Sequence, residues 1–167
     1  MDFAYTSEQE GIRQSIQSLM KDFPDEYWMA RDQAHEFPMD FHDAIAKAGY
    51  LGLVIPEEYG GSGLGITEAG IALMEVAASG AAFNGASSIH LSIFGINPVV
   101  KHGSEEMRQK YLPRVVSGDL HICFGVTEPD AGTDTTRIST RAVRDGDRYI
   151  INGKKVWLTK AGDSQKV

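Results

Sequence analysis

Two stretches carry residue types that could do chemistry. The first is Leu120-His121-Ile122-Cys123-Phe124-Gly125-Val126-Thr127-Glu128-Pro129-Asp130-Ala131-Gly132-Thr133-Asp134. Ile122, Phe124 and Val126 alternate with His121, Cys123 and Gly125, the period-two pattern of a half-buried strand. Pro129 fixes its own φ and pushes Glu128 toward an extended conformation. Gly132 frees the backbone to approach a ligand closely, and Thr127, Thr133 and Asp134 crowd polar side chains around it. A strand that delivers hydroxyls and backbone N–H groups to one small loop can receive a polar cofactor. The second stretch runs from Asp147 to Thr159 and closes on Trp157-Leu158-Thr159, an aromatic, an apolar and a hydroxyl side chain in succession.

The run Cys-Phe-Gly-Val-Thr-Glu-Pro-Asp-Ala-Gly-Thr-Asp resembles the flavin-binding signature of the acyl-CoA dehydrogenases. The segment from Asp147 to Thr159 looks like that family's hairpin, whose Trp-hydrophobic-Thr triplet lies against the flavin ring. From Pro56, the order Pro-Glu-Glu-Tyr-Gly-Gly-Ser-Gly is similar to the family's connector and assigns no chemistry to it. The resemblance spans essentially the whole chain and implies FAD as cofactor. It implies that Thr127 hydrogen-bonds the flavin ring, with backbone groups of Phe124 and Val126 alongside. Gly132 belongs to the same cofactor-binding run. Thr133 takes the place where relatives usually carry serine, which contacts the cofactor pyrophosphate and lies near the acyl-CoA. Trp157 packs on the flavin, Leu158 completes the triplet, and Thr159 bonds near the N5 edge. Lys160 departs from the asparagine common at that place. By residue type alone, Thr127 equally suits a strand end, Trp157 a core aromatic and Thr159 a strand.

In the family, FAD lies between the β-domain and a C-terminal four-helix domain. A carboxylate from that last domain removes the α-proton of an acyl-CoA thioester while the β-hydrogen leaves as hydride to the flavin. Electrons then pass to an electron-transferring flavoprotein. The resemblance therefore implies an acyl-CoA thioester as substrate, that flavoprotein as partner, and either a homo-oligomer or a complementing C-terminal portion. No catalytic base is assigned within this sequence, which reads as an N-terminal portion whose isolated chain is inactive. Two other readings stay open: a non-catalytic fragment that binds or associates, and an acyl-CoA oxidase or flavin monooxygenase of the same fold. Glu128 is tempting as a base, but its place between Thr127 and Pro129 points to a structural role at the turn.

The elements that must position these residues fall into two parts. The expected fold class is α+β: an all-helical domain over residues 1–118, then residues 119–167 as the first antiparallel strands of an incomplete β-barrel or sandwich. Ser7 and Glu10 suit a capping box, followed by Ile12, Ile16, Leu19, Met20 and Phe23 at helical spacing up to Pro24. Helices are expected over 25–34 and after Pro38, the latter ended by Gly49. Leu51 to Ile55 is extended or a last helical turn, and the glycine-rich 56–65 a connector with several turns. Ile66 to Ser79 is apolar nearly all round and predicts a buried central helix. Asn84 to Val100 predicts a second, bent or ended near Pro98. Ser104 caps a last helix carrying Met107, Tyr111, Leu112 and Val115, with Pro113 inside it. The helical part counts about six helices. Beyond the strand at 121–126, strands are expected at 137–144, 149–151 and 154–158, with turns at Asp145-Gly146-Asp147 and Asn152-Gly153.

Composition narrows the function classes. A net charge of −7 disfavours a general nucleic-acid binder, which needs a basic surface. Residues 1–120 hold 8 basic and 17 acidic side chains and residues 121–167 hold 8 and 6, so the sign changes where helix gives way to strand. Cys123 is the single cysteine, which excludes an internal disulfide framework. The five histidines show no metal-ligand spacing and read as surface or cap residues, so no metal is expected. No secretory signal opens the sequence. The apolar run 66–100 is broken by Glu68, Glu75, His90 and Pro98 and falls short of a membrane span. A cytoplasmic location is the default expectation.

Overall fold

Helix α1 (Ser7–Leu19) begins one residue earlier than its sequence cap suggests. Thr6 is extended, its Oγ1 accepts from the Gln9 N–H at 3.2 Å, and Gln9 Oε1 accepts from the Thr6 N–H at 3.0 Å. The expected partner Glu10 is drawn away, bonding Arg13 at 2.9 Å and Gln14 at 3.2 Å. The computed structural model describes residues 4–162. Within them, α2 (Asp25–Ala34) follows Pro24, and α3 (Met39–Lys47) ends at Gly49, which takes the left-handed φ of 84°. Leu51 belongs to a short 3-10 turn and is fully buried. The 56–65 connector is a compact set of turns in which Gly61 passes so close to the Ile55 carbonyl that no side chain fits.

Helix α4 (Ile66–Val76) is not buried all round. Ala69, Ile71, Ala72 and Val76 face the core, whereas Ile66 and Met74 are exposed. Its polar side locks onto α1: Glu75 receives Arg13 Nε and Gln17 Nε2, each at 2.7 Å, and Glu68 receives Gln9 Nε2 at 2.8 Å. Wide helical turns over 77–81 then kink at Gly80 (φ 101°) and Ala82 (φ 46°) before α5 (Ala82–His90). More wide turns, and a break at Ile96, separate α5 from α6 (Asn97–His102), in whose first turn Pro98 sits. By length and composition alone the run from Ile66 to His102 could cross a membrane, yet it is broken at both kinks and packs one face into this core. Ser104 Oγ accepts from the Met107 N–H and caps α7 (Glu105–Val116), which continues through Pro113. Among the described residues seven α-helices form, one more than periodicity suggests.

Among the described residues two buried clusters hold these helices. One gathers Ile16, Phe41, Ile45 and Leu51 around edge-to-face Phe23, Trp28 and Phe41 rings at 5.0–5.4 Å from Phe41. The other joins Ile55, Leu112, Val115, Leu120 and Ile122, so the start of the non-helical part is rooted in the helical one.

Past Leu120 the strand expectations are only partly met. Among the described residues, one two-stranded antiparallel sheet forms, β1 (Arg141–Asp145) against β2 (Arg148–Asn152). Asp145 pairs with Arg148 across the Gly146-Asp147 turn, as the sequence predicts. Among the described residues, 121–126 show a single bridge position, at Ile122, rather than a ladder, and their burial does not alternate: His121 to Cys123 are all buried and Phe124 is exposed. The second cluster grips Leu120 and Ile122 from the helical side. Residues 154–158 also form no strand. Asn152 pairs with Arg141 at the end of the sheet, and Gly153 lies against the Thr140 side chain, where a Cβ would collide. That glycine serves a close approach, not a second hairpin. β1 starts only at Arg141 because Thr135–Arg137 form a 3-10 turn and 139–140 are held by Glu128.

Candidate functional site

The turn after Val126 is closed by a small bridge: Glu128 N–H donates to the Ala131 carbonyl at 2.8 Å, and Ala131 N–H returns at 3.2 Å. Pro129 and Asp130 form its tip. The Glu128 carboxylate, 5% exposed, points back beneath the loop. It accepts from the Ser139 N–H at 2.8 Å, the Ser139 hydroxyl at 2.7 Å and the Thr140 N–H at 2.9 Å, and pairs with Lys155 Nζ at 3.0 Å. The Thr140 hydroxyl stands beside it, outside good hydrogen-bond geometry. The Thr140 side chain, then the Ser139 amide and hydroxyl, hold this carboxyl well below the usual carboxylate range. Glu128 is thus the pin that fastens the loop to the segment leading into β1.

The two sequence stretches meet at this pin. The Val156 N–H donates to the Thr127 carbonyl at 2.9 Å, and Lys155 Nζ donates to the Val126 carbonyl at 2.9 Å. Gly125 lies against Leu158, so near that an added Cβ would sit 3.1 Å from Leu158 Cδ2. Val126, Thr127 and Leu158 are accordingly half-buried along one seam. Phe124 turns half outward, and Trp157, at φ 58°, gives 87% of its surface to solvent. Thr159 is exposed at the end of the seam. Gly132 and Thr133 are exposed beyond the Pro129-Asp130 tip, with open space where a Gly132 side chain would be. Asp134 accepts from the Thr136 N–H and hydroxyl and shapes the following turn.

Other residues here escape sequence reading. Lys155 gives no sign that it, rather than Lys154, is the partner of Glu128. His42 and His121 are not the surface or cap residues that spacing suggests. They are buried and stacked, ring centroids 4.4 Å apart, with Phe37 alongside both. Burial, then the positive charge of Lys160, then His121, push His42 down to about 3; its ring nitrogens make no hydrogen bond among the described residues. His35, by contrast, is the left-handed cap of α2. Lys160 is buried, its ammonium 4.3 Å above the centre of the Phe37 ring. A cleft of about 290 Å³ opens beside it, lined by Arg31 and His35 of the α2 end, Ser87 and Ser88 of α5, and Thr159 and Lys160. Among the described residues no group of three His, Cys, Asp or Glu is placed to hold a metal ion.

An exposed indole and a half-exposed phenyl ring offer flat apolar surface, and Thr133 and Thr159, exposed, and Thr127, half-buried, carry hydroxyls on the same two stretches. The open backbone at Gly132 leaves room for a bulky anion to come close. This donor set fits a flat heteroaromatic ring with a polar edge and a phosphate tail.

Comparisons with known proteins point the same way. The family model described as acyl-CoA dehydrogenase, N-terminal domain, matches residues 6–119, and that of the acyl-CoA dehydrogenase middle domain matches residues 123–167. Acyl-CoA dehydrogenase FadE12 of Mycobacterium tuberculosis is 32% identical over 99% of this chain, which spans 42% of that relative's length. A glutaryl-coenzyme A dehydrogenase in complex with glutaryl-CoA shares the fold with a TM-score of 0.85 at 28% identity, over 98% of this chain and 42% of that one. PigA with FAD and proline gives a TM-score of 0.87 at 26% identity, over 98% of this chain and 43% of that one.

Proposed function

The chain belongs to the acyl-CoA dehydrogenase family, and from that premise we propose that its two motifs form part of the FAD site of an enzyme that α,β-dehydrogenates acyl-CoA thioesters. The observation that carries this is the seam itself. Two stretches some thirty residues apart, each resembling a flavin motif, are bonded through Thr127 and Val156 and packed through Gly125 and Leu158.

In this reading residues 1–118 are the helical domain and 119–167 the beginning of the β-domain. The Thr127 hydroxyl and the backbone of Phe124 and Val126 hold the polar edge of the ring. Trp157 covers one face, with Leu158 and Thr159 at its margin. Gly132 and Thr133 take the pyrophosphate, and Thr133 also borders the acyl-CoA. When bound, FAD supplies a two-electron acceptor at its ring. The protein's part is to bind, orient and exclude water. Glu128 does not act as base, because its oxygens are committed to Ser139, Thr140 and Lys155. The α-proton goes to another carboxylate, and the electrons pass on to an electron-transferring flavoprotein.

Titrating the chain with FAD, followed by quenching of flavin fluorescence, should show saturable binding. Absence of binding at any accessible concentration would end this reading. Dye-linked oxidation of an acyl-CoA panel by the FAD-supplemented 167-residue chain should give no turnover. Turnover that disappears in Glu128→Gln would instead make Glu128 the base.

A further inference from the structure

We propose that the outer edge of β2 is an interface between two copies of this chain, whose β2 strands pair antiparallel about a two-fold axis at Ile150 to make one four-stranded sheet. This holds whether or not the neighbouring loop binds FAD. Every strand residue of the β1–β2 hairpin is exposed, Val143, Tyr149, Ile150 and Ile151 among them. Among the described residues no strand lies beyond β2, so every second β2 residue turns its backbone N–H and C=O to an open side. A hairpin of two strands is marginal in water, whereas three or more strands sharing an apolar face are stable.

The residues at the two edges select both the strand and the partner. β1 carries Arg141, Arg144 and Asp145, and charge on an edge strand guards it against pairing. β2 carries a single charge, Arg148 at its turn end, and has Tyr149, Ile150 and Ile151 in its middle. Paired with itself about Ile150, β2 sets Ile150 opposite Ile150 of the second copy, Tyr149 opposite Ile151, and Arg148 opposite the neutral Asn152. No like charges meet, and Arg148 keeps Asp147 beside it at 4.0 Å. Val143 is already the cross-strand partner of Ile150, so one face of the four-stranded sheet gains an unbroken apolar row, Val143 and Ile150 of each copy. With three arginines against two aspartates the hairpin is nearly neutral, unlike the chain at −7, and two hairpins approach with little repulsion.

An interface of one strand is short, so the dimer is a weak one. Sedimentation of the whole chain from roughly 5 to 500 µM should show a monomer giving way to a dimer and nothing larger. Ile150→Lys, which sets two ammonium groups opposite each other, should weaken the dimer by at least about tenfold. Ile150→Cys should yield a disulfide-linked dimer on mild oxidation, because residues opposed on the axis lie within disulfide reach. Val143→Cys should not, since its two copies stand three strand spacings apart, about 14 Å. Cys123 is 2% exposed and stays out of the reaction. A monomer over the whole range would overturn the inference. So would a dimer that Ile150→Lys leaves intact, cross-linking of Val143→Cys as readily as of Ile150→Cys, or growth past the dimer into longer assemblies.

Discussion

Trp157 holds its indole out to solvent, 87% exposed, from a backbone at φ 58°. Trp157→Ala therefore separates cofactor binding from folding. Almost no indole surface is buried in the folded chain, so its removal should change folding stability by no more than about 0.5 kcal/mol. Alanine also keeps the left-handed strain, so the side chain alone is tested. On ring binding, one indole face would cover roughly 100 Å² of apolar surface, about half of what a buried aromatic contributes. At about 25 cal/mol per Å² this gives ~2.5 kcal/mol, or about a 60-fold weaker FAD affinity. Trp157→Phe should recover most of the loss. Trp157→Gly should bind FAD as poorly as the alanine variant but fold more stably by up to ~1 kcal/mol, because glycine accepts this φ without strain. Urea unfolding and FAD fluorescence titration on the same preparations supply both numbers. An FAD affinity within threefold of the parent would refute the assignment of Trp157. A stability loss above ~1 kcal/mol in Trp157→Ala would show that the indole packs against the chain.

Two acid-side predictions follow from buried groups. His42 is held neutral, down to about 3 from 6.5, so the unfolded chain takes its proton first and stability must fall as pH drops through that window. The exposed Asp43 carboxylate, 3.8 Å from Nδ1, does not offset the burial and the neighbouring Lys160 and His121. Between pH 6.5 and 5 the loss is about 2 kcal/mol, and urea midpoints of His42→Phe should lack that share of the slope. An unchanged slope would mean that His42 stays hydrated. Glu128 acts lower on the scale: its folded pKa is depressed, so its contribution is complete above the ordinary carboxylate range and is lost as pH falls below it. Glu128→Gln should lower the thermal midpoint at pH 7 and flatten the acid limb below pH ~4.3. Equal midpoints at pH 7 would remove its pinning role.

What was legible in the sequence was whatever a short window determines. Pro24, Gly49 and Ser104 mark helix boundaries through their own backbone or side-chain chemistry, and the structure uses all three. The Asp145-Gly146-Asp147 turn is equally local. Errors gathered where a distant segment decides. The alternation at 121–126 reads as a strand, and among the described residues it yields one bridge position, at Ile122, while Leu120 and Ile122 are buried against α7 and the 50s turn. Asn152-Gly153 has hairpin composition, yet Thr140, thirteen residues earlier, requires the glycine for clearance. The candidate site shows the same division. Its hydroxyls and aromatics were visible as types, because recognition of a flat polar ring constrains which residues can serve. Its internal wiring was not visible, because Lys155 and Lys154 are equivalent until the chain folds and only one reaches Glu128. His42 and His121 lie 79 positions apart, and no spacing rule can join them. Their stack, with Phe37 beside both and Lys160 over that ring, brings α3 together with two distant stretches of the second part, at His121 and at Lys160. Substitution at Lys160 should therefore also move the acid dependence of His42, a coupling that neither residue's neighbourhood in the sequence announces.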